Sequence, residues 1–374
     1  RIYGQESPIL GDNLMLSIDF KLQKKLTEEL TKQMEKAKVE KASAVAVNPQ
    51  NGEILAVVSL PTYNNNLFSK GISEKDYQKL LDNKNFPLVN RVVTGEYPSG
   101  STIKPFLAAA ALDKGTITEK TTVNSTGGIK IGQWEFPDWK KGGHGTTNVV
   151  KAIAESVNTF FYAIGGGYEK ITGLGPEIMK KYLEKFGFGK SIEIDIDGVA
   201  SGHLPDPEWK ESFKNEPWYL GDTYNMSIGQ GDVLVTPLQL VNALSVIANG
   251  GTMYKLQLAK AVLDTNGKVK SEIEKEIIKK DFLKKEAISI TRKGMRQTVV
   301  AGSARSLANL PVAVAGKTGT AQFGPQNSRK HAWFTAFAPY EKPTIALVVL
   351  VEGAGEGSEY AVPVARETLK WYFK

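Results

Sequence analysis

The chain has 374 residues, about two and a half times the ~150-residue prior for one domain, so it can bury a large core. It is 41% hydrophobic and 23% charged, a globular balance that excludes disorder and fibre. The net charge of +7 is spread among alternating Lys and Glu, as in Lys24, Lys25, Glu28 and Glu29. No basic block implies nucleic acid, while a polyanionic surface such as a cell wall or membrane face stays compatible. The cysteine count of zero excludes disulfides, thiolate metal sites and a Cys nucleophile together. His144, His203 and His331 are far apart and lack HExxH spacing, which argues against a zinc hydrolase. Catalysis has to rest on other residue types.

In chain order, residues 1–13 are polar and turn-rich and read as a linker or the stub of something upstream. From Asp19 the series Leu22, Leu26, Leu30, Met34 predicts an amphipathic helix, capped by Asp19 and running to about Lys38. Residues 42–48 and 53–60, rich in Val and Ile around Pro49-Gln50-Asn51-Gly52, predict a hairpin. The far end predicts three strands at 312–315, 331–338 and 344–351, then a helix at 362–372. Short connections suggest an antiparallel sheet built from both chain ends and flanked by terminal helices. Between them, helical candidates at 102–114, 148–164, 176–186 and 237–249 read as a mostly helical lobe inserted between the second and third sheet strands. The class is α/β in the α+β sense. The longest apolar runs, 106–112 and 345–351, fall well short of the roughly 20 residues that span a bilayer. The start at Arg1, without a signal-type segment, leads us to expect a longer parent chain.

Three polar groups stand out. Ser101-Thr102-Ile103-Lys104 opens the first helix of the middle lobe, and Ser101 is the only serine with a lysine three positions later. That spacing puts both side chains on one face, one turn apart. A lysine there can act as a base once burial lowers its pKa, and the helix N-terminus favours an oxyanion. The plain alternative is a solvated serine N-cap. Ser156-Val157-Asn158 falls within the apolar 148–164 segment, where Ser and Asn do nothing for helix propensity, although a surface turn would also account for them. Lys317-Thr318-Gly319-Thr320 follows the 312–315 strand and is unique in the chain, although a strand end with a small glycine would look the same.

In this order, Ser-x-x-Lys, Ser-x-Asn and Lys-Thr-Gly resemble the motif set of penicillin-recognising serine acyltransferases. The surrounding words, Tyr97-Pro-Ser-Gly-Ser-Thr-Ile-Lys-Pro105, Glu155-Ser-Val-Asn-Thr-Phe-Phe-Tyr162 and His331-Ala-Trp-Phe334 among them, look like a class B penicillin-binding protein, most similar to the elongation type, penicillin-binding protein 2. The likeness covers roughly residues 14–374, which it implies is one transpeptidase domain. The sheet lobe would be formed by about 14–61 and 312–374 and the helical lobe by about 100–311, with residues 1–13 the last stretch of a pedestal.

The resemblance implies Ser101 as acylated nucleophile, Lys104 as general base and Ser156 as proton relay. Asn158 would bind the substrate amide. Lys317, Thr318, Gly319 and Thr320 would form the carboxylate-binding strand, with the N–H groups of Ser101 and Thr320 as oxyanion hole. Repulsion between the two lysines would favour a neutral Lys104. No metal or cofactor is called for. The implied partners are peptidoglycan stem peptides, β-lactams, and, through N-terminal regions outside the chain, a SEDS-family glycosyltransferase and elongation scaffold proteins. The implied location is the extracytoplasmic face of the cytoplasmic membrane, with an N-terminal anchor. A D,D-carboxypeptidase, a β-lactamase and a silent penicillin sensor or scaffold remain the alternatives.

Several residues look like decoys. Glu216-Pro217 resembles the start of the Glu-bearing loop of β-lactamases, but Leu220 stands where Asn would be needed. Asp138 and His144 resemble a segment that holds zinc in some relatives with a cysteine as further ligand; without one, a structural hydrogen bond is the expectation. His331 is expected to cap its strand. Trp134, Trp139, Trp209, Trp218 and Tyr219, mostly on loops, are read as core or rim packing, with a substrate-groove role for some as the alternative, and Gly229, Gly231 and residues 353–357 as flexible groove walls.

Overall fold

The computed structural model describes residues 10–374. Its centre is a five-stranded antiparallel sheet in the order Ala315–Phe323, Arg329–Ala338, Ile345–Val351, Ala42–Val47, Ile54–Leu60. Every residue of Ala42–Val47 and Ile345–Val351 is buried, because both sheet faces are covered. The side-chain period of two divides these strands between two cores. Val45, Val47, Val348 and Leu350 face the helical lobe, where the helix Lys104–Lys114, buried as far as Leu112, and the helix Pro237–Asn249 pack. Ala44, Ala46, Leu347 and Val349 face the terminal helices Phe20–Ala37 and Gly357–Tyr372. The three alanines of Ala42–Val47 thus fall on the face where the terminal helices lie.

Phe20–Ala37 forms as its periodicity predicts. The Asp19 carboxylate accepts from the N–H groups of Lys21 and Leu22 at 2.9 and 3.0 Å, Leu22, Leu26 and Leu30 are fully buried, and Lys38 ends the helix in the left-handed conformation. The hairpin and the helical insertion between the second and third strands are also present. The 1–9 part of the expected linker lies outside the described residues.

Four expectations are corrected. The third sheet strand is not 312–315 but Ala315–Phe323, so the Lys-Thr-Gly triplet lies inside it; four small or hydroxyl residues in a row hide a strand from a hydropathy reading. The last helix begins at Gly357, five residues before the apolar period starts. The 148–164 helix is two helices, Val149–Glu155 and Asn158–Gly166, broken at Ser156 in the left-handed region (φ 59°, ψ 41°). His331 does not cap a strand: it is buried within Arg329–Ala338, stacked on Phe323 at 3.7 Å, and burial holds its pKa down at about 4. A small three-stranded sheet of Asn13–Leu16, Ala259–Leu263 and Val269–Glu272 was not anticipated, because its outer strands carry no buried alternation.

Gly357 fixes how closely the C-terminal helix approaches the site strand, since a Cβ there would overlap the carbonyl oxygens of both Gly319 and Trp333. Gly357→Ala should therefore cost about 1–3 kcal/mol, the usual penalty of overpacking a closed contact. Urea unfolding monitored by circular dichroism measures it, and an unchanged midpoint would mean the helix start yields freely.

Candidate active site

The site forms where three backbones touch. The loop Tyr97 to Gly100 enters a short 3₁₀ turn, Gly100–Ile103, and the α-helix starts at Lys104, whose N–H donates to the Ser101 carbonyl. Three residues per turn put Ser101 and Lys104 on the same face. The Gly100 N–H donates to the Gly229 carbonyl at 2.8 Å, and Gly229 (φ +72°) passes so close that a Cβ would overlap the Gly100 carbonyl and the Ser99 hydroxyl. Gly229 is therefore a fixed contact rather than a flexible wall. The Trp333 indole N–H donates to the Pro98 carbonyl at 3.0 Å, pinning the loop to the sheet.

Lys104 has no exposed surface. Its Nζ donates to Asn158 Oδ1 at 2.6 Å, to the Ser156 carbonyl at 2.9 Å and to Ser156 Oγ at 3.3 Å, and it stands 5.1 Å over the Phe161 ring. Burial pushes its pKa down to about 7, with the nearby Asp138 carboxylate acting in the opposite direction. The break at Ser156 makes this contact possible, because an unbroken helix would spend that carbonyl four residues on. Asp138, reaching in from a loop, holds the break open. One oxygen accepts the Asn158 N–H at 2.6 Å, and the other accepts the Thr159 N–H at 3.2 Å, the Ser125 hydroxyl at 2.8 Å and the Thr159 hydroxyl. It thus caps the helix that carries Asn158, satisfying two of its free N–H groups.

Lys317 is likewise fully buried, its Nζ donating to the Thr318 carbonyl at 2.8 Å. Burial, and after it the charge of Lys104, hold its pKa well below the usual lysine value. The expected repulsion thus bears on Lys317, whereas burial alone lowers Lys104. The Thr318 and Ser303 hydroxyls are 2.6 Å apart, and Thr320 Oγ1 donates to Glu356 Oε2 at 2.7 Å. Gly319 lies where a Cβ would stand 2.7 Å from Thr102 Cγ2, which packs the site strand onto the serine turn.

A cleft of about 650 Å³ lies over this seam, with Ser101, Ser156, Asn158, Thr318, Gly319 and Thr320 in its walls. Lys104 and Lys317 lie beneath, reaching the cleft through those neighbours. All eight residues singled out from sequence therefore converge, although they come from segments about fifty to two hundred residues apart. Sequence reading missed Asp138 as a helix cap, and it missed Glu155, Ser303 and Glu356 in the wall; their only signal is position in space. Glu216 lies outside the cleft on an exposed loop, 3.6 Å from Lys210. His144 Nδ1 is 2.7 Å from Glu155 Oε2, the structural bond expected. Asp138 and His144 supply one carboxylate and one imidazole, and no third His, Cys, Asp or Glu among the described residues joins them in a ligand cluster, so these residues do not fit a metal centre.

Residues 42–370 match the family model described as the penicillin binding protein transpeptidase domain. Peptidoglycan D,D-transpeptidase MrdA of Haemophilus influenzae is 36% identical over 97% of the chain and 56% of its own length. Stage V sporulation protein D of Bacillus subtilis is 31% identical over 91% of the chain and 50% of its own. Among solved structures, PBP2 of Pseudomonas aeruginosa in complex with WCK 5153 superposes with a TM-score of 0.85 at 34% identity, covering 98% of this chain and 79% of that one. PBP2 of Helicobacter pylori in complex with MreC gives 0.82 at 35%, covering 96% and 64%. The chain spans little more than half the length of the curated relatives it matches. A serine and two buried lysines, set at the junction of sheet and helical lobe in a fold shared at this identity, place the chain in the penicillin-binding protein transpeptidase family, in its class B, penicillin-binding protein 2 branch.

Proposed function

We propose that this chain is the acyl-transfer domain of a peptidoglycan D,D-transpeptidase of cell-wall elongation. The observation that carries the reading is a lysine buried without a counter-ion in contact, its pKa near 7, one turn from a cleft serine. Lys104 Nζ takes the Ser101 hydroxyl proton as Oγ bonds to the penultimate D-Ala carbonyl carbon. The C–N bond then breaks, and the proton passes through Ser156 Oγ to the leaving D-Ala amine. In the second half an acceptor amine attacks the ester, its proton returns by the same route, and Ser101 is regenerated. The N–H groups of Ser101 and Thr320 stabilise the oxyanion. Asn158 binds the donor amide, while Lys317, Thr318 and Thr320 bind its terminal carboxylate along the edge strand, with Gly319 keeping that strand low against the serine turn.

Residues 14–374 form this catalytic domain and 1–13 lead from a preceding pedestal. The domain works on the extracytoplasmic face of the cytoplasmic membrane, held by an anchor in the parent protein. A SEDS-family glycosyltransferase and elongation scaffold proteins act with it, a reading supported by relatives solved with MreC and within a peptidoglycan synthase complex. No helix among the described residues is long and apolar enough to cross a membrane. Glu216 lies outside the cleft and so is not placed to activate water as the glutamate of a β-lactamase loop does, which favours an amine acceptor over hydrolysis.

Intact-mass measurement after incubation with benzylpenicillin tests the reading. One stable adduct is expected on the wild type and none on Ser101→Ala; rapid loss of the adduct would instead identify a β-lactamase or carboxypeptidase. Stem peptide with an acceptor amine should give a crosslinked product, and its absence would leave a silent sensor. The acylation rate should also rise with pH through about 7, because Lys104 attacks the proton only in its neutral form and loses its charge as pH rises through its pKa. Asp138→Asn removes the charge that retains that proton, so the rising limb of a stopped-flow pH profile should move to lower pH.

A further inference from the structure

The hydroxyl of Thr320 is already committed. It has one proton, which goes to Glu356 Oε2 at 2.7 Å, and its oxygen accepts the Gly357 N–H at 3.3 Å. A ligand carboxylate can receive that proton only by displacing Glu356. The Glu356 side chain is half exposed, lines the cleft and ends the segment that starts the C-terminal helix. Its other oxygen accepts from Lys330 Nζ at 2.9 Å, and the Gly355 N–H donates to the Lys330 carbonyl at 3.1 Å. At Gly357 the backbone of this corner is seated directly on Gly319 and Trp333, so the half-exposed Glu356 side chain is the part that gives way.

Resting on the acyl-transfer reading above, we infer that Glu356 is a specificity-determining residue of the carboxylate subsite, competing with the donor's carboxylate for Thr320 Oγ1, with Lys330, already paired to its other oxygen, as the charge that retains it when displaced. A carboxylate beside a carboxylate-binding hydroxyl repels every anionic donor equally and leaves neutral donors untouched. Lys330 offsets that repulsion and keeps Glu356 paired through Oε1 once Oε2 has left the Thr320 hydroxyl. The subsite thus admits anionic donors at a rate set by the Glu356–Lys330 pair, in addition to the fixed machinery of Ser101 and the two buried lysines.

The test compares second-order acylation rate constants for benzylpenicillin, which carries the carboxylate, and benzylpenicillin methyl ester, which does not. Glu356→Gln should accelerate benzylpenicillin about ten-fold, the scale of one charge-assisted hydrogen bond and its repulsion. Glu356→Ala, which also frees the Thr320 proton, should do at least as much, and the methyl ester should change by less than about two-fold in either, since it brings no charge. Lys330→Met should slow benzylpenicillin, and this slowing should shrink in the Glu356→Gln background, because the two residues act as a pair. Unchanged or reduced benzylpenicillin rates in both Glu356 variants, or parallel changes with the ester, would overturn the inference while leaving Ser101 acylation intact. A wild type that neither compound acylates at Ser101 would instead overturn the transpeptidase reading and this inference with it.

Discussion

Two lysine side chains without exposed surface occupy the seam between the sheet and the helical lobe, and much of the architecture keeps them there. An isolated buried ammonium is costly, so its pKa falls until the neutral form is accessible near neutral pH. Lys104 meets this condition by burial, with three oxygen acceptors of Ser156 and Asn158 around its Nζ and an aromatic face beneath it. Lys317 meets it next door, where burial is reinforced by Lys104 itself. A lysine held in this state requires a closed seam, which neither lobe forms alone.

Closing that seam takes a few backbone contacts with no room for a side chain. Gly229 lies on the serine turn, Gly319 on Thr102, and Gly357 on the site strand, so the serine, that strand and the C-terminal helix are held at fixed distance. The Asp138 carboxylate performs a comparable task for the second motif. By taking the first N–H groups of the Asn158–Gly166 helix it stabilises a break that frees the Ser156 carbonyl and hydroxyl to face Lys104. The same carboxylate raises the pKa of Lys104 that burial lowers, so the residue that shapes the turn also tempers that lysine.

Elements with strong periodicity were legible: the Asp19-capped helix, the first hairpin and the Pro237–Asn249 helix stand where their patterns put them. Those misread share a physical cause. The Ala315–Phe323 strand is built from small and hydroxyl residues because an adjacent backbone and a cleft approach it, which removes the apolar signature of a strand. The break at Ser156 is invisible because the flanking apolar period continues through it, and its stabilising group comes from Asp138, distant along the chain.

The sequence alone determined which chemistry was available, because a chain without cysteine, with three scattered histidines and with Ser-x-x-Lys, Ser-x-Asn and Lys-Thr-Gly in order points to serine and lysine. It also determined the strands and helices whose burial follows a regular period, since that information is local. Only the tertiary structure decided that Lys104 and Lys317 lie buried side by side, that Asp138 caps the second motif, and that Glu356 occupies the Thr320 hydroxyl. Those facts depend on dehydration and on contacts between segments that meet only when the two lobes close, and no local pattern encodes the distance between them.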